Sequence, residues 1–562
     1  MKRNTKALAN QEFDLVVVGS GIFGACAAYD AVMRGLSVAL IEREDFGGAT
    51  SAHSYKMIHG GIRYLQHFDI PRLRRSSAER AAFLRMAPHL VHPLPIAIPT
   101  SGFGMKGKLA LRTGMGVYDL LTTGRNRGIR IPERRIPNGR FIKRDELESL
   151  FPGIEADRFS GAAVFCDGQM YNPARLVLSV VHSAARLGAN VANYIEAVRF
   201  HHDGKSIAGV EVKDTLSGDE FTIRGKMFVN AAGPYAEELL QKGVDPHRGQ
   251  KRQYSRDACF VIGRRLFESD HALAVQGDTH DPEAILSRGE RHLFIVPWRQ
   301  YTLIGVWHKL HPGSQHPFQV SHSELQGFID EINRALPVLD LSMTDVSKVN
   351  CGLVPFGENA PGAQNLKYGH RSTLIDHAKE DGIENLLTII GVRYTTGRWE
   401  ASRAVTRAMQ KLRRKDPGCE TDKRPLIGGE IENFNEYVAD AVRIAPDSLN
   451  PRVVESLVHN YGTRYHEVLG YLDEDDELGA TIGRSETIGA QVIHAVRNEM
   501  AMTLSDVLLR RTDLGTGEDP GIDEIMLCAN LMAVELCWDD ERFQNEVEAV
   551  TRMATAPSLR SI

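Results

Sequence analysis

The sequence predicts an α/β fold with three parts: a mostly parallel sheet covered by helices, a largely antiparallel sheet, and a helical C-terminal region. Three observations lead to this prediction. Residues 13–18 are a short β-branched apolar run that continues into a glycine-rich turn and a helix, as expected for a strand buried on both faces. Strand-like segments fill residues 255–356, and helical patterns dominate from about residue 425.

The composition is that of a folded globular protein. Of 562 residues, 42% are hydrophobic and 25% are charged, and 67 basic against 72 acidic residues give a net charge of −5. The apolar fraction argues against disorder, and the slightly acidic balance argues against a mainly electrostatic nucleic-acid binder. No apolar run approaches the roughly 18 residues that a membrane-spanning helix needs.

The seven cysteines are isolated, with no CxxC pair. This pattern argues against a disulfide framework and against a structural zinc site. Residues 1–13 are basic but lack the apolar core of a secretory signal. We therefore expect reduced thiols, a cytoplasmic location and no bound metal.

A dinucleotide-binding motif follows the first strand. Gly19 permits a tight turn, Gly21 lets the backbone approach a diphosphate, and Gly24 lets the following helix pack closely on the strand. A second strand over residues 37–41 ends at Glu42, which can accept the ribose hydroxyls. Because strand, turn, helix and acid have the correct order and spacing, a loop without a ligand is disfavoured. The residues assigned to the cofactor here are Gly19, Gly21, Ile22, Phe23, Gly24, Glu42 and Arg43.

A second segment rich in glycine and hydroxyl groups, residues 45–65, follows the acid. Its hydroxyl side chains can bond a diphosphate, and its paired glycines allow the backbone to contact a flat ring. Such a segment suits FAD better than NAD. NAD remains the alternative cofactor at this step. The residues assigned to the cofactor are Thr50, Ser51, His59, Gly60 and Gly61.

The stretch Lys56–Leu65, Lys-Met-Ile-His-Gly-Gly-Ile-Arg-Tyr-Leu, resembles the Lys-Leu-Ile-His-Gly-Gly-Leu-Arg-Tyr-Leu segment of the FAD-dependent glycerol-3-phosphate dehydrogenase family. Two further segments resemble the family: Val229–Tyr235, and Gly391–Thr396 with Arg393 where the family has lysine. The resemblance extends from about residue 13 to about residue 545. It adds Ala232, Gly233, Gly391, Thr395 and Thr396 to the FAD-binding residues.

The resemblance implies a Rossmann-like FAD-binding domain, an antiparallel-sheet substrate domain and a C-terminal α-helical cap domain. We expect a β-meander at 207–213 and 220–224, a separate strand from residue 227, and a hairpin made of 292–298 and 301–305. The predicted bounds are 13–90, 160–250 and 360–415 for the FAD-binding domain, 91–159 and 251–359 for the substrate domain, and 425–550 for the cap.

The resemblance also implies the reaction, in which a base takes the hydroxyl proton of a secondary alcohol and the flavin takes the C–H hydride. Arg63 and Tyr64 come just after the flavin-side glycines, and Arg63 can hold an oxyanion or phosphate through a forked contact. The alternative is that Arg63 has a structural role. Together with His308 and Arg393, these residues form the predicted catalytic set.

Three segments depart from the family near the expected substrate. Arg256–Cys259 lacks the family's catalytic histidine, Val354 replaces an arginine that binds the substrate phosphate, and Gly305–His308 replaces Gly-Thr-Thr-Asp. We expect Trp307 to add bulk to the pocket and His308 to be a replacement base, the alternative being a packing or surface histidine. These changes predict a substrate other than simple glycerol 3-phosphate, such as a larger or unphosphorylated polyol or sugar derivative.

Three functions stay open from the sequence. The first is oxidation of glycerol 3-phosphate or a related polyol, with electrons passed to quinone. The second is an oxidase or dehydrogenase of a different alcohol, with oxygen as an acceptor, and the third is a non-catalytic flavin-binding scaffold. The basic segments 72–90 and 102–135 predict peripheral contact with anionic headgroups on the inner face of the membrane. The alternative is that their charges are simply exposed to solvent. We expect a homodimer and no nucleic-acid partner.

Overall fold

A computed structural model describes residues 1–100, 108–244, 252–280, 290–311, 319–360, 365–367, 369 and 371–555. In these residues the strands are β1 (Glu12–Val18), β2 (Val38–Ile41), β3 (Met57–Ile58), β4 (Val91–Thr100), β5 (Arg140–Lys143), β6 (Gly161–Met170), β7 (Asn190–Ala192), β8 (Ile195–Asp203), β9 (Ser206–Asp214), β10 (Glu220–Asn230), β11 (Tyr254–Ile262), β12 (Ala272–His280), β13 (Glu290–Trp298), β14 (Tyr301–His311), β15 (Val346–Pro355), β16 (Thr373–Asp376) and β17 (Leu386–Ile390). The α-helices are α1 (Thr5–Asn10), α2 (Ile22–Met33), α3 (Ala49–Ala52), α4 (Ile70–Met86), α5 (Lys108–Leu121), α6 (Arg144–Leu150), α7 (Pro173–Arg186), α8 (Ala236–Gly243), α9 (His322–Ala335), α10 (His377–Glu380), α11 (Gly397–Lys411), α12 (Phe434–Ile444), α13 (Pro451–Tyr461), α14 (Tyr465–Leu469), α15 (Gly489–Glu499), α16 (Leu504–Asp506), α17 (Ile522–Leu536) and α18 (Asp540–Thr555).

The first sheet has the strand order β16-β17-β10-β1-β2-β7, and β1 pairs in parallel with both β10 and β2. Leu15 and Val17 face a core shared with α2, α7 and α11, while Val16 and Val18 face the β8–β10 side. Both faces of β1 are therefore buried, which explains its continuous apolar sequence. The predicted α/β fold is confirmed.

One strand replaces two that the sequence predicts. Residues 220–224 and the segment from 227 belong to a single strand, β10. Its first half pairs antiparallel with β9, and its second half pairs in parallel with β1 and β17. Gly225 lies at the change, where an added Cβ would come within 2.6 Å of Val16. A glycine that looks like a break in the sequence therefore serves close packing between strands.

The second sheet has the order β15-β11-β14-β13-β12-β4-β6-β3, with β5 beside β6. Its neighbours pair antiparallel except β4 and β12, and the predicted hairpin is confirmed as β13 and β14. The predicted bounds assign residues 160–250 to the FAD-binding domain and 91–159 to the substrate domain. In the structure, β6 from the first range pairs along its whole length with β4 from the second. The sequence of an apolar strand is compatible with either sheet, so it does not show which strand β6 pairs with. The division into three domains stays a prediction.

Helices α12 to α18 form the predicted helical C-terminal region around two apolar clusters. The helical pattern over residues 491–511 is interrupted at Met500, which has a φ of 58°, and it ends in a π-helical turn over Val507–Arg511. Across the described residues, no helix combines the length and apolar character needed to cross a bilayer. The same residues hold no cluster of three or more His, Cys, Asp or Glu side chains suited to a metal ion.

Candidate functional site

A cavity of about 2840 Å³ lies between the two sheets. The ends of β1, β2, β10 and β17 open onto one side of it, and β11, β14 and β15 form the other side. Ligands of open α/β sheets bind in this place, outside the carboxyl ends of the strands. Most predicted site residues line the cavity: Gly19, Gly21, Ile22, Phe23, Glu42, Arg43, Thr50, Ser51, His59, Gly61, Arg63, Tyr64, Ala232, Gly233, His308, Gly391, Arg393 and Thr395.

The start of α2 faces the cavity, and its N-cap residue, Gly21, has no side chain to cap the helix. Its first N–H, from Ile22, donates to Ser51 Oγ at 3.1 Å, and the helix dipole leaves partial positive charge there. Gly19 has a φ of 95°, and an added Cβ would lie 2.8 Å from the Ala231 carbonyl oxygen. Only glycine fits this turn, so the backbone itself forms the wall of the cavity.

Glu42 lies beside this turn at the end of β2. Its Oε2 accepts a hydrogen bond from the backbone N–H of Ser20 at 2.7 Å, and burial raises the pKa of the carboxyl group. Next to it, the Arg43 guanidinium lies 4.0 Å from the centre of the Tyr235 ring. Tyr235 lines the cavity but is absent from the predicted cofactor set. Acid, guanidinium and ring together suit the polar edge and flat face of a nucleoside.

Three predicted cofactor residues lie behind the cavity wall. An added Cβ on Gly24 would lie 1.8 Å from the Gly19 oxygen, and one on Gly60 would lie 2.0 Å from Arg80 Nη1. Thr396 turns inward, with its hydroxyl donating to the Arg393 carbonyl at 3.3 Å. Gly24 thus has the packing role that the motif gives it, and Gly60 is small because a buried arginine lies against it.

A buried carboxylate holds the histidine of the His-Gly-Gly segment. His59 Nδ1 lies 3.1 Å from Asp167 Oδ2, and Asp167 Oδ1 accepts from the Gly60 N–H at 2.5 Å and from Arg80 Nη1 at 2.7 Å. Burial would raise the pKa of Asp167, but the His59 hydrogen bond and the Arg80 charge together lower it. Sequence reasoning missed Asp167, although a lone acid in the apolar strand β6 is a usable signal.

Two arginines enclose the Tyr64 ring. The guanidinium of Arg72 lies 4.5 Å and that of Arg393 lies 4.9 Å from the ring centre. Burial and the neighbouring Arg393 lower the pKa of Arg72 to about 10. Because Tyr64 and Arg393 line the cavity together with Arg63, this wall is strongly cationic and can hold an anionic group.

A second His–Asp pair faces the cavity from the antiparallel sheet. His308 Nδ1 lies 2.7 Å from Asp257 Oδ1, which also accepts from Ser255 Oγ at 2.6 Å. The His308 ring stacks on Phe356 at 5.7 Å. Asp257 was absent from the predicted site, because only the pairing of β11 with β14 brings it opposite His308. An imidazole held in this way can accept a proton at its other nitrogen.

The prediction that Trp307 fills the pocket is wrong. Its ring stacks on Phe328 at 4.4 Å on the other face of the sheet, and its Nε1 donates to Glu331 at 2.7 Å. Successive side chains of a strand point to opposite faces, so Trp307 cannot line the cavity when His308 does. Val354 and Cys259 do line it. Burial raises the pKa of Cys259 to about 11, which keeps the thiol protonated.

Part of the basic charge in segments 72–90 and 102–135 is internal. Arg80 binds Asp167, Arg125 pairs with Asp119, and Arg134 donates to backbone carbonyls. Lys106 lies outside the described residues. The exposed cations in the described parts of both segments include Arg74, Arg112, Arg127, Arg130 and Arg135.

Comparison with known proteins identifies the family. Residues 14–386 match the FAD-dependent oxidoreductase family, and residues 419–543 match the C-terminal domain of alpha-glycerophosphate oxidase. The chain belongs to the FAD-dependent oxidoreductases. The family resemblance, the enzyme class and the FAD cofactor that the sequence predicts are confirmed.

Relatives of this oxidoreductase match it along nearly the whole chain. A glycerol-3-phosphate dehydrogenase of Synechocystis sp. is 31% identical over 97% of both chains. An aerobic glycerol-3-phosphate dehydrogenase of Staphylococcus aureus is 27% identical over 90% of this chain and 88% of its own. The glycerol-3-phosphate dehydrogenase of Bacillus halodurans, solved with FAD, has the same fold, with a TM-score of 0.76, 24% identity and coverage of 99% and 97%.

The residues of the cavity fit the cofactor of this family. The glycine turn and the N-terminal end of α2 suit a diphosphate, and Glu42 suits ribose hydroxyls. The cavity also continues to the Tyr64 and His308 walls, which leaves room for a substrate beside a long flat cofactor.

Proposed function

We propose that the chain oxidises the secondary alcohol of glycerol 3-phosphate or of a closely related polyol phosphate. The cationic wall around Tyr64 carries this proposal, because Arg63 and Arg393 line the same cavity as a His–Asp pair and can offer guanidinium groups to a phosphate. The full-length similarity to glycerol-3-phosphate dehydrogenases supports it. Bound FAD would accept two electrons and a proton equivalent from the C–H bond of the alcohol.

The residues at the sheet end of the cavity would hold FAD. The first turn of α2 and Ser51 would contact the diphosphate, and Glu42 the ribose hydroxyls. Gly61, which lies against the Tyr64 ring, and Thr395, two residues after Arg393, line the cavity and would contact the flavin ring. Substitution Ser51→Ala is expected to weaken FAD binding, as followed by flavin fluorescence on dilution.

His308 would take the hydroxyl proton. Donation from Nδ1 to Asp257 would leave the lone pair on Nε2, where it could accept the proton. The substrate phosphate would lie against Arg63 and Arg393, which fixes the alcohol carbon relative to the base. His308→Asn is then expected to lower kcat by a factor of about 10² to 10⁴ with a small change in KM.

A different alcohol is the second candidate, and Val354 favours it. This side chain lines the cavity where the family carries a phosphate-binding arginine. Because Trp307 lies outside the pocket, it adds no bulk there. Among alternative substrates, unphosphorylated polyols are therefore favoured over larger ones. A screen of polyols and their phosphates with an artificial acceptor decides between the two: micromolar KM for glycerol 3-phosphate supports the first candidate.

The electron acceptor would be a quinone reached at a membrane surface. Phe68 and Val117 line the cavity and are 58% and 43% exposed, and Leu120 nearby on α5 is 72% exposed. Exposed apolar side chains and the exposed Arg112 on the same helix α5 suit the interface of an anionic bilayer on the inner face of the membrane. Binding to anionic liposomes that is lost on Leu120→Asp is expected. A rate of oxygen consumption equal to the rate of quinone reduction would instead favour an oxidase.

Two further predictions belong to the same proposal. A homodimer is expected, and sedimentation of the purified protein tests it. A non-catalytic scaffold would keep the absorption band of oxidised flavin after anaerobic addition of any substrate, whereas an enzyme would lose it.

A further inference from the structure

The loop after β2 lines the cavity on one side and contacts the C-terminal helices on the other. Residues 42–44 and 48–51 all line the cavity. Asp45, between them, is 1% exposed and turns away from it toward the π-helical turn Val507–Arg511. The loop thus lies between the proposed FAD site and the C-terminal region.

Two consecutive arginines converge on this carboxylate. Arg511 donates from Nη1 at 2.6 Å and from Nη2 at 2.7 Å, and Arg510 donates from Nε at 2.6 Å. Burial opposes the charge on Asp45, but Arg511 and Arg510 outweigh it and lower the pKa of the carboxyl group. Asn193 also donates to Asp45, at 2.9 Å. Every contact is charge-assisted or buried, so the attachment is rigid.

The two converging arginines are the last residues of the π-helical turn. A regular α-helix turns consecutive side chains about 100° apart, whereas here both guanidinium groups reach one carboxylate. Arg511 is fully buried and also donates to the Glu499 carbonyl, and Arg510 also binds Asp506 at 2.6 Å. The arginines are therefore held in place by the C-terminal helices, and their contacts with Asp45 restrict the position of the loop. Single π turns are frequent at functional sites.

The same loop is attached at its far end. Ser51 Oγ accepts from the first N–H of α2, and Thr50 Oγ1 donates to the Leu353 carbonyl of the antiparallel sheet at 2.9 Å. Without the Asp45 contact, backbone hydrogen bonds from Tyr194 to Glu44 at 2.9 Å and from Gly47 to Ser20 at 3.2 Å still hold the middle of the loop. The loop would, however, lose its charged contacts to the C-terminal helices. The residues that line the cavity would then sample more conformations, which must be restricted again when a ligand binds.

We propose that the C-terminal helical region clamps the FAD-binding loop, with Arg510 and Arg511 as positioning residues that act through Asp45. The clamp sets the affinity for FAD without touching the cofactor. This inference rests on the proposed contact between residues 42–51 and FAD. It gives the C-terminal region a role in holding the cofactor.

The test measures FAD release from the holoprotein on dilution, by recovery of free flavin fluorescence. Arg510→Gln and Arg511→Lys are expected to raise the FAD dissociation constant by about tenfold or more, since both break a buried charge contact. Tyr301→Phe is the matched control, because it removes the hydrogen bond from the buried Tyr301 hydroxyl to Glu518, 2.8 Å long, which joins the antiparallel sheet to the C-terminal region. Neither residue lines the cavity. This control variant is expected to bind FAD within about twofold of the unmodified protein.

Several results would overturn the clamp. One is unchanged FAD affinity in both arginine variants with intact circular dichroism. Another is an equal loss of FAD affinity in Tyr301→Phe, which would show that any contact with the C-terminal region has the same effect. If Arg511→Lys does not fold, the FAD affinity of Arg510→Gln decides, because Arg510 is partly exposed and its substitution disturbs folding less. The double variant Asp45→Asn/Arg510→Gln should lose no more affinity than Asp45→Asn, and additive losses would contradict action through Asp45. Weak FAD binding in Ser51→Ala with normal binding in both arginine variants refutes the clamp while the loop assignment stands.

Discussion

Replacing Gly391 by alanine should weaken FAD binding through a collision with Phe23. Gly391 follows β17 and lines the cavity, and an added Cβ would lie 2.0 Å from Cε2 and 2.1 Å from Cζ of the Phe23 ring. Carbon atoms in contact are about 3.5–4.0 Å apart, so the ring must move by about 1.5 Å or more. Phe23 belongs to the first turn of α2, and its displacement either narrows the cavity or moves the start of the helix.

The expected cost follows from overpacking, which is typically about 1–3 kcal/mol. If the strain appears in cofactor binding, the FAD dissociation constant of Gly391→Ala rises by about 5- to 150-fold. Flavin fluorescence on dilution of the holoprotein measures it. Gly470→Ala is the control, because an added Cβ there meets no atom within 4 Å.

A second substitution separates this collision from a general loss of stability. Phe23→Ala removes the ring, so the double variant Phe23→Ala/Gly391→Ala should bind FAD no worse than Phe23→Ala alone. The reasoning is refuted if Gly391→Ala binds FAD as tightly as Gly470→Ala. It is also refuted if the two losses simply add.

Three further predictions concern catalysis, packing and pH. Asp257→Asn should lower kcat by a factor of about 10² to 10⁴ with little change in KM; an unchanged kcat would remove the pair from catalysis. Trp307→Phe should leave kcat and KM unchanged, because the ring faces away from the cavity, and should lower the free energy of unfolding by about 1 kcal/mol through the lost hydrogen bond; altered substrate preference would contradict this orientation. Burial lowers the pKa of His459 and of His494 to about 4, below the unfolded value of about 6.5. Between these values the unfolded state binds more protons, so the free energy of unfolding should fall as the pH drops from about 6.5 to about 4. Urea titrations across this range measure the slope, His459→Gln should reduce it, and a flat profile would contradict the assigned burial.

The sequence predicts the parts of the site that are local in the chain. The strand, glycine turn and helix from residue 13 onward, and the acid at the end of β2, are read correctly because each depends on neighbours within about 30 residues. The hairpin of β13 and β14 is found for the same reason. These segments place Gly19, Gly21 and Glu42 on the cavity as expected.

The parts that depend on long-range pairing are not found. Asp167 meets His59 across 108 positions, and Asp257 meets His308 across 51. No local pattern connects these residues, since strand pairing and register decide which side chains face each other. The error over Trp307 has the same origin: the sequence places the segment near the substrate, but the orientation of the strand decides which side chains face the cavity. Similarly, Arg510 and Arg511 reach Asp45 only through the packing of the C-terminal helices.

Anaerobic mixing of the yellow holoprotein with glycerol 3-phosphate tests the proposed reaction most directly. We expect rapid loss of the oxidised flavin absorption band in the unmodified protein, and a rate lowered by a factor of about 10² to 10⁴ in His308→Asn. Glycerol at the same concentration is expected to bleach the band slowly or not at all, because the cationic wall then has no phosphate to bind. A band that persists with glycerol 3-phosphate, or that bleaches equally fast in His308→Asn, would contradict the account.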